Sequence, residues 1–257
     1  MKMILSLMVG AAVVLSAAAQ AGARTLEAIR SSGELGLCAH PNSLPFASKA
    51  GDPPGFQVEL GQALARELGV SLRLDLIITQ YQMRSAACDV LLDVIADREA
   101  QGETRLRISK PYYRTGVALA VPSSSTLSSF KSLNEHTKVG VQVGSVAAMI
   151  IGQRRVPTST FGFESDSLDA LSHDELDAAA VTPTAASYFN LTHPEKPLRI
   201  LARDESVTDL NWNVAVGMVR PDDALREAID GAVDRLRGDG TIDRIYRRYG
   251  IVLEAPK

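Results

Sequence analysis

The chain has 257 residues, of which 46% are hydrophobic and 22% are charged, and its formal net charge is −3 at pH 7. These proportions are typical of a globular protein with a normal core and exclude an intrinsically disordered chain. The weakly acidic balance offers no basic patch to displace counterions from phosphates, which argues against a nucleic-acid partner.

The first 21 residues have the pattern of a secretory signal. Lys2 gives a positive start, residues 4–19 form an apolar stretch, and Ala19-Gln20-Ala21 is a small-x-small cleavage signal. We expect cleavage near Ala21, release into the periplasm and no membrane-spanning segment afterwards. The alternative is an uncleaved anchor, for which an apolar run of about 16 residues is short.

Residues 33–69 predict the first unit of an α/β domain, in which a buried strand leads through a loop into a helix. The helix has one apolar face, and Gly69 suits its left-handed end. That face contains Phe56, Leu60, Leu64 and Leu68. Because open parallel sheets bind small molecules at the carboxyl ends of their strands, the loop at residues 41–46 would face a ligand cleft.

Three residues of this loop region are candidates for the cleft. Asn42 offers donor and acceptor groups, although asparagine after proline is also ordinary turn chemistry. Phe46 either stacks on a ligand or closes the core under the loop. His40 is the histidine nearest the predicted cleft, and no histidine stands at ligand spacing with a cysteine, so we expect no metal site and no cofactor.

The two cysteines, Cys38 and Cys88, both lie in strand-like contexts. An even count in an oxidising compartment favours one disulfide, and two buried free thiols are the alternative. A bridge would close a loop of about 50 residues and stabilise the first domain by about 4 kcal/mol in the chain-entropy model.

A second α/β unit begins after the serine-rich residues 123–132, which read as a connection between domains. In KVGVQVGS the valines alternate as in a strand, Gly144 makes a tight turn and Ser145 can cap the next helix. The backbone N–H groups of Gly144 and Ser145 would then suit an anion or a carbonyl. Residues 178–181 predict a buried strand, followed by a helix with Pro183 in its first turn.

The chain is predicted to end in two amphipathic helices after strands at residues 198–201 and 212–218. Thr241 is a plausible N-cap of the last helix. The basic residues 244–248 most simply form a solvated helix face. We expect Trp212 to pack in the core rather than to line the ligand pocket.

The order of these blocks resembles the family 3 periplasmic solute-binding proteins, with PYY, VGVQVGS and RLRGDGTIDRIYRRYG as the most specific stretches. The resemblance implies an α/β, two-lobed, Venus-flytrap fold with two hinge strands and a ligand cleft between the lobes. It divides the chain into a signal peptide at 1–21, a first lobe at 22–117, an inserted second lobe at 118–212 and a return to the first lobe at 213–257.

A narrower resemblance involves CAHPNSLPFAS, CDV and KPYYRTG. These blocks are similar to a subgroup encoded beside quinoprotein alcohol or methanol dehydrogenases, which implies a role beside a pyrroloquinoline quinone (PQQ) dehydrogenase in methanol oxidation. The stretch VGVQVGSVAAMIIGQRR instead resembles an ordinary solute-binding protein.

The family's ligand-binding residues are altered in this chain. The arginine that holds the ligand carboxylate would fall near residues 101–102, which are Gln and Gly, so Arg98 or Arg105 would have to substitute. Both are otherwise solvated loop arginines. Thr182 stands where the family has an amine-binding aspartate, and a neutral hydroxyl cannot balance an ammonium group, so a free α-amino acid is a poor ligand.

Three functions fit this sequence. The first is a binding protein that presents a small polar solute to an ABC permease, and the second is an accessory protein that docks on the dehydrogenase. The third, a dehydratase, needs a cleft carboxylate with a raised pKa. Glu164, Asp174 and Glu175 are the candidates, but their stretch is predicted to be an exposed helix, so we expect no enzyme.

Overall fold

The computed structural model describes residues 24–79, 82–96 and 106–257. The predicted signal segment and both candidate arginines, Arg98 and Arg105, lie outside these ranges. The described chain forms two α/β lobes, each built around its own sheet.

The first lobe takes the beginning and the end of the chain. Its first part contains α1 (Leu26–Ser32), β1 (Glu34–Ala39), β2 (Asn42–Ser43), β3 (Ala47–Ser48), α2 (Phe56–Leu68), β4 (Ser71–Leu76), α3 (Gln82–Ser85), β5 (Val90–Ile95), β6 (Leu106–Ile108) and β7 (Tyr113–Gly116).

The second lobe is one continuous stretch. It contains β8 (Ala118–Pro122), β9 (Val139–Gln142), α4 (Val146–Gln153), β10 (Thr158–Phe161), α5 (Glu164–Ser172), β11 (Ala178–Val181), α6 (Pro183–Thr192) and β12 (Leu198–Leu201). The chain then returns to the first lobe with β13 (Asn211–Val219), α7 (Asp223–Gly238) and α8 (Thr241–Arg247).

The two sheets differ in how their strands are ordered. In the first sheet the order is β4-β1-β5-β13-β6, and β7 also pairs with β13. In the second sheet the order is β10-β9-β11-β8-β12. Strand β9 runs parallel to both of its neighbours, so the carboxyl ends of β9, β10 and β11 meet at one edge.

Helix α2 forms as its apolar spacing predicts. Phe56, at its start, is fully buried and its ring stacks on Tyr246 of α8 with 4.4 Å between the centroids. Gly69 ends the helix in the left-handed region, with φ of 77°. The last two helices pack on the same core.

The predicted cap of α8 is wrong by one residue. Gly240, with φ of 73°, is the N-cap, and Thr241 is the first residue of the helix. The backbone N–H of Thr241 donates to the Asp239 carboxylate at 2.8 Å. A left-handed residue is needed to reverse the chain between α7 and α8, and glycine adopts it without steric cost.

The chain crosses between the lobes at two adjacent points. Gly116 at the end of β7 pairs with Asn211 at the start of β13, and a Cβ on Gly116 would collide with the Leu210 carbonyl oxygen. Trp212 packs against the hydrophobic cores of both lobes, as its packing role predicts.

The serine-rich stretch does not connect the lobes as predicted. Phe130 is buried in the core of the second lobe, and Arg199 of β12 donates to the carbonyl oxygens of Ser125 and Leu127. Composition identified a loop correctly, but the strand before it, β8, already belongs to the second sheet.

A disulfide joins Cys38 to Cys88, with the two Cα atoms 5.5 Å apart, and the predicted pairing is confirmed. It links β1 to the residues before β5, its neighbour in the first sheet. Next to it, the buried carboxylate of Asp89 accepts hydrogen bonds from the Arg24 guanidinium and from the backbone N–H of Gly36 at 2.7 Å.

Candidate functional site

The candidate site lies at the sheet edge where β9, β10 and β11 of the second lobe end. Three short segments follow these strands, namely residues 143–145, residues 162–164 and Thr182. Strand β9 lies between the other two, so its loop stands between theirs. Crevices outside the carboxyl ends of parallel strands are the usual ligand sites of α/β folds.

Two pairs of aromatic rings connect the second lobe with the first lobe, and one of them lies at this edge. His40, which follows β1, lies against Phe163, with 5.3 Å between the ring centroids. Tyr188 of α6 lies 5.9 Å from Tyr249 in the same measure. The lobes therefore touch, and the His40 position beside the cleft agrees with its sequence context.

The Glu164 carboxylate is the most distinctive group of the site. One oxygen accepts the backbone N–H of Thr182 and the other accepts the Thr182 hydroxyl, each at 2.7 Å. Thr182 is the N-cap of α6, and its Oγ1 also accepts the N–H of Ala185 at 3.2 Å. Burial raises the pKa of Glu164, while the two hydrogen bonds from Thr182 oppose that shift.

The expectation that Glu164 lies on an exposed helix is therefore wrong, although Asp174 and Glu175 are exposed. Glu164 is the first residue of α5, where the side chain can turn back toward the sheet edge. Sequence reasoning named both Thr182 and Glu164 but missed their contact, because the two residues come together only through the order of the strands.

Gly144 and Ser145 form the tight turn and cap that the sequence predicts. Gly144 has φ of 72°, and the Ser145 hydroxyl accepts the N–H of Ala148 at 3.1 Å. Val143 and Met149 flank this turn and are 65% and 56% exposed. The contact of Gly144 and Ser145 with a ligand stays a prediction.

The loop of the first lobe contributes less than expected. Phe46 packs on the core, with its ring 5.0 Å from that of Phe56. Asn42 is exposed in β2, and its backbone N–H donates to Nδ1 of His40 at 3.1 Å. Ligand contacts of Asn42 and Phe46, and of Arg98 and Arg105 outside the described ranges, remain predictions.

A second carboxylate, which the sequence did not single out, lies inside the first lobe. Asp93 of β5 has φ of 56° and accepts hydrogen bonds from Gln57 at 3.0 Å, Tyr112 at 3.0 Å and Tyr246 at 2.8 Å. Burial raises the pKa of Asp93, and the hydrogen bonds lower it. This cage ties α2, β5 and α8 together.

Within the described ranges, no group of three or more His, Cys, Asp or Glu side chains could hold a metal ion. None of the described helices is long and apolar enough to cross a membrane.

Known proteins that share this architecture are similar to the chain in sequence. The profile of the bacterial extracellular solute-binding proteins, family 3, matches residues 35–251. The probable amino-acid-binding protein YxeM of Bacillus subtilis (strain 168) is 25% identical over 219 residues, which cover 80% of each chain. Protein MoxJ of Paracoccus denitrificans is 34% identical over 109 residues, which cover 41% of this chain and 38% of MoxJ.

Solved structures show the same two-lobed fold. The ancestral cationic amino acid solute-binding protein AncCDT-1 superposes with a TM-score of 0.75 at 20% identity, covering 88% of this chain and 99% of that one. An amino acid ABC transporter substrate-binding protein, AbpA of Streptococcus pneumoniae, bound to L-arginine, superposes with a TM-score of 0.70 at 25% identity, covering 87% and 97%.

Proposed function

This chain belongs to family 3 of the bacterial extracellular solute-binding proteins, and from that premise we propose that it is the periplasmic receptor of an ABC uptake system. Residues 1–21 would be removed on export. The lobe at 118–212 would close against the lobe formed by 22–117 and 213–257, hold a small polar organic solute without chemical change, and present it to the permease.

The observation that carries this proposal is the convergence of polar groups at one edge of the second lobe. Gly144 and Ser145 follow β9, and β9 lies between β10 and β11, which are followed by the loop of Glu164 and the cap at Thr182. His40 of the first lobe contacts Phe163 at the same edge. Closure of two lobes lets both contribute contacts to one ligand, which is how hinged binding proteins gain affinity.

Free α-amino acids fit this site poorly. The Thr182 hydroxyl is neutral, donates to Glu164 and accepts from Ala185, so position 182 itself offers an ammonium group no charge. The expected register of the carboxylate-binding arginine holds Gln101 and Gly102. We therefore propose a ligand other than a zwitterion.

A solute screen tests the receptor function. The mature protein would be screened by thermal shift against polar organic solutes. Each ligand found would then be studied by small-angle scattering and by tryptophan fluorescence. Trp212 is the single tryptophan and packs against both lobes, so its fluorescence should report closure. We expect one chemical class to raise the Tm and change the scattering profile. A folded protein that binds no solute would contradict the proposal.

A second candidate function is an accessory role on a PQQ-dependent dehydrogenase. It is supported by the similarity to protein MoxJ and by the CAHPNSLPFAS and KPYYRTG blocks. Exposed apolar side chains also stand at or beyond the carboxyl ends of β4 and β5, where Ile78 is 68% and Ile95 is 36% exposed. Apolar surface of this kind favours a protein partner.

Copurification separates the two candidates. If the accessory role holds, the protein copurifies with the dehydrogenase, and replacing Ile78 and Ile95 by serine weakens the complex. Replacing Val252, which is 72% exposed on the C-terminal tail, is the matched control. A neighbouring permease operon without a dehydrogenase gene would point back to uptake.

Catalysis is not part of the proposal. A dehydratase would need a proton on a cleft carboxylate, and burial does raise the pKa of Glu164. However, both of its oxygens accept hydrogen bonds from Thr182, an arrangement that favours the ionised form. We therefore assign Glu164 to ligand binding.

A further inference from the structure

We propose that Glu164 determines the specificity of the cleft and that the ligand is an organic amine without a carboxylate group. This inference rests on the proposed receptor function, because it names the ligand class of the same site. The family's amine-binding aspartate would stand at position 182. In this chain the negative charge of the site would come instead from Glu164, on a different loop.

The position of Glu164 is the first support. Its loop follows β10, and its hydrogen-bond partner Thr182 follows β11, while β9 lies between these two strands. The Glu164 carboxylate therefore reaches from the loop after β10 to the residue after β11, at the edge where β9 also ends. The preceding residue, Phe163, lies against His40 of the first lobe, with 5.3 Å between the ring centroids. Glu164 is therefore next in sequence to a residue that contacts the other lobe.

The missing counter-charge is the second support. The hydrogen bonds of Glu164 within the described part of the chain go to the N–H and hydroxyl of Thr182, and no ion pair among those residues includes it. Glu164 is partly buried, and a carboxylate that loses water contacts without gaining a cation is unfavourable. Burial raises the pKa of Glu164 for this reason, and a ligand ammonium group would supply the charge.

The remaining hydrogen-bonding capacity is the third support. A carboxylate offers about four lone-pair sites, and Thr182 uses one on each oxygen. Roughly two acceptor sites are left, which suits the several N–H donors of an ammonium group. A ligand carboxylate near the same point would be repelled by Glu164, so the amine should carry no acid.

Calorimetry with matched ligands tests the inference. The probes are alkylamines and diamines, each compared with the alcohol, the carboxylic acid and the amino acid of the same carbon skeleton. Wild type is compared with Glu164→Gln, which keeps the shape of the side chain, and with Asp166→Asn, an exposed carboxylate in the first turn of the same helix. The Tm of each variant confirms that it folds.

We expect an amine to bind wild type at least about tenfold more tightly than its alcohol, and Glu164→Gln to lose about 10–100-fold in amine affinity, as for hydrogen bonds to a charged group. Asp166→Asn should stay close to wild type. The decisive quantity is the ratio of amine to alcohol affinity, because a merely structural role of Glu164 would lower both equally.

The failures are distinguishable. If only alcohols, acids or amino acids bind, or if Glu164→Gln keeps the amine preference, the inference is wrong while the receptor function stands. If no compound of any class binds the folded protein, the receptor function fails as well.

Discussion

Removal of the disulfide should destabilise the first lobe by an amount that the sequence separation sets. Cys38 and Cys88 are 50 residues apart, both are 4% exposed, and they link β1 to the residues just before its neighbour β5. In the chain-entropy model a loop of this length is worth about 4 kcal/mol, and native disulfides usually contribute 2–5 kcal/mol. The double variant Cys38→Ala/Cys88→Ala should lose roughly that free energy of unfolding.

Urea unfolding followed by Trp212 fluorescence and far-UV circular dichroism measures the loss. Reductant should lower the unfolding midpoint of wild type toward that of the double variant and leave the variant itself unchanged. Because both cysteines lie in the first lobe, hydrogen exchange of the β9 and β11 amides in the second lobe should change less than that of β1 and β5. A loss below about 1 kcal/mol, or equal loosening of both lobes, would refute the reasoning.

Four further predictions follow from other contacts. Since burial raises the pKa of Asp93, the stability of wild type relative to Asp93→Asn should be greatest below about pH 4 and fall as pH rises through the raised pKa. Urea unfolding of both proteins at several pH values measures this, and a stability difference that does not change with pH contradicts it. Gly116→Ala should cost about 1–3 kcal/mol by collision with the Leu210 carbonyl, whereas Gly231→Ala, whose Cβ meets only the flexible end of Arg235, should not. Asp89→Ala should cost about 3–5 kcal/mol, read from the urea midpoint, because Arg24 and a buried N–H lose their acceptor. Calorimetry against free amino acids should give no micromolar binding, and such binding would contradict the proposed loss of zwitterion recognition.

Local signals in the sequence predicted much of the fold. The apolar stripe of α2, the cap at Ser145 and the proline at the start of α6 depend on residues within one or two turns of each other, and all are present. The cap of α8 was misplaced because Gly240 and Thr241 are both acceptable caps, and only the turn after α7 decides between them.

The candidate site was harder to predict from the sequence, because the residues that contact each other there are far apart in the chain. Glu164 and Thr182 meet only because β10 and β11 flank the same strand. Asp93 reads as one polar residue in an apolar strand, and its partners come from residues 57, 112 and 246. Periodicity identifies strands and helices but does not give the order in which strands join a sheet.

The place of β13 in the chain determines when the first lobe can be completed. This strand bonds to β5, β6 and β7, yet it begins only at Asn211, after the whole second lobe. A chain synthesised from its N-terminus therefore has an incomplete first sheet until residues 211–219 have been made. Completion of the first sheet is thus tied to the arrival of a strand that follows the second lobe in the chain.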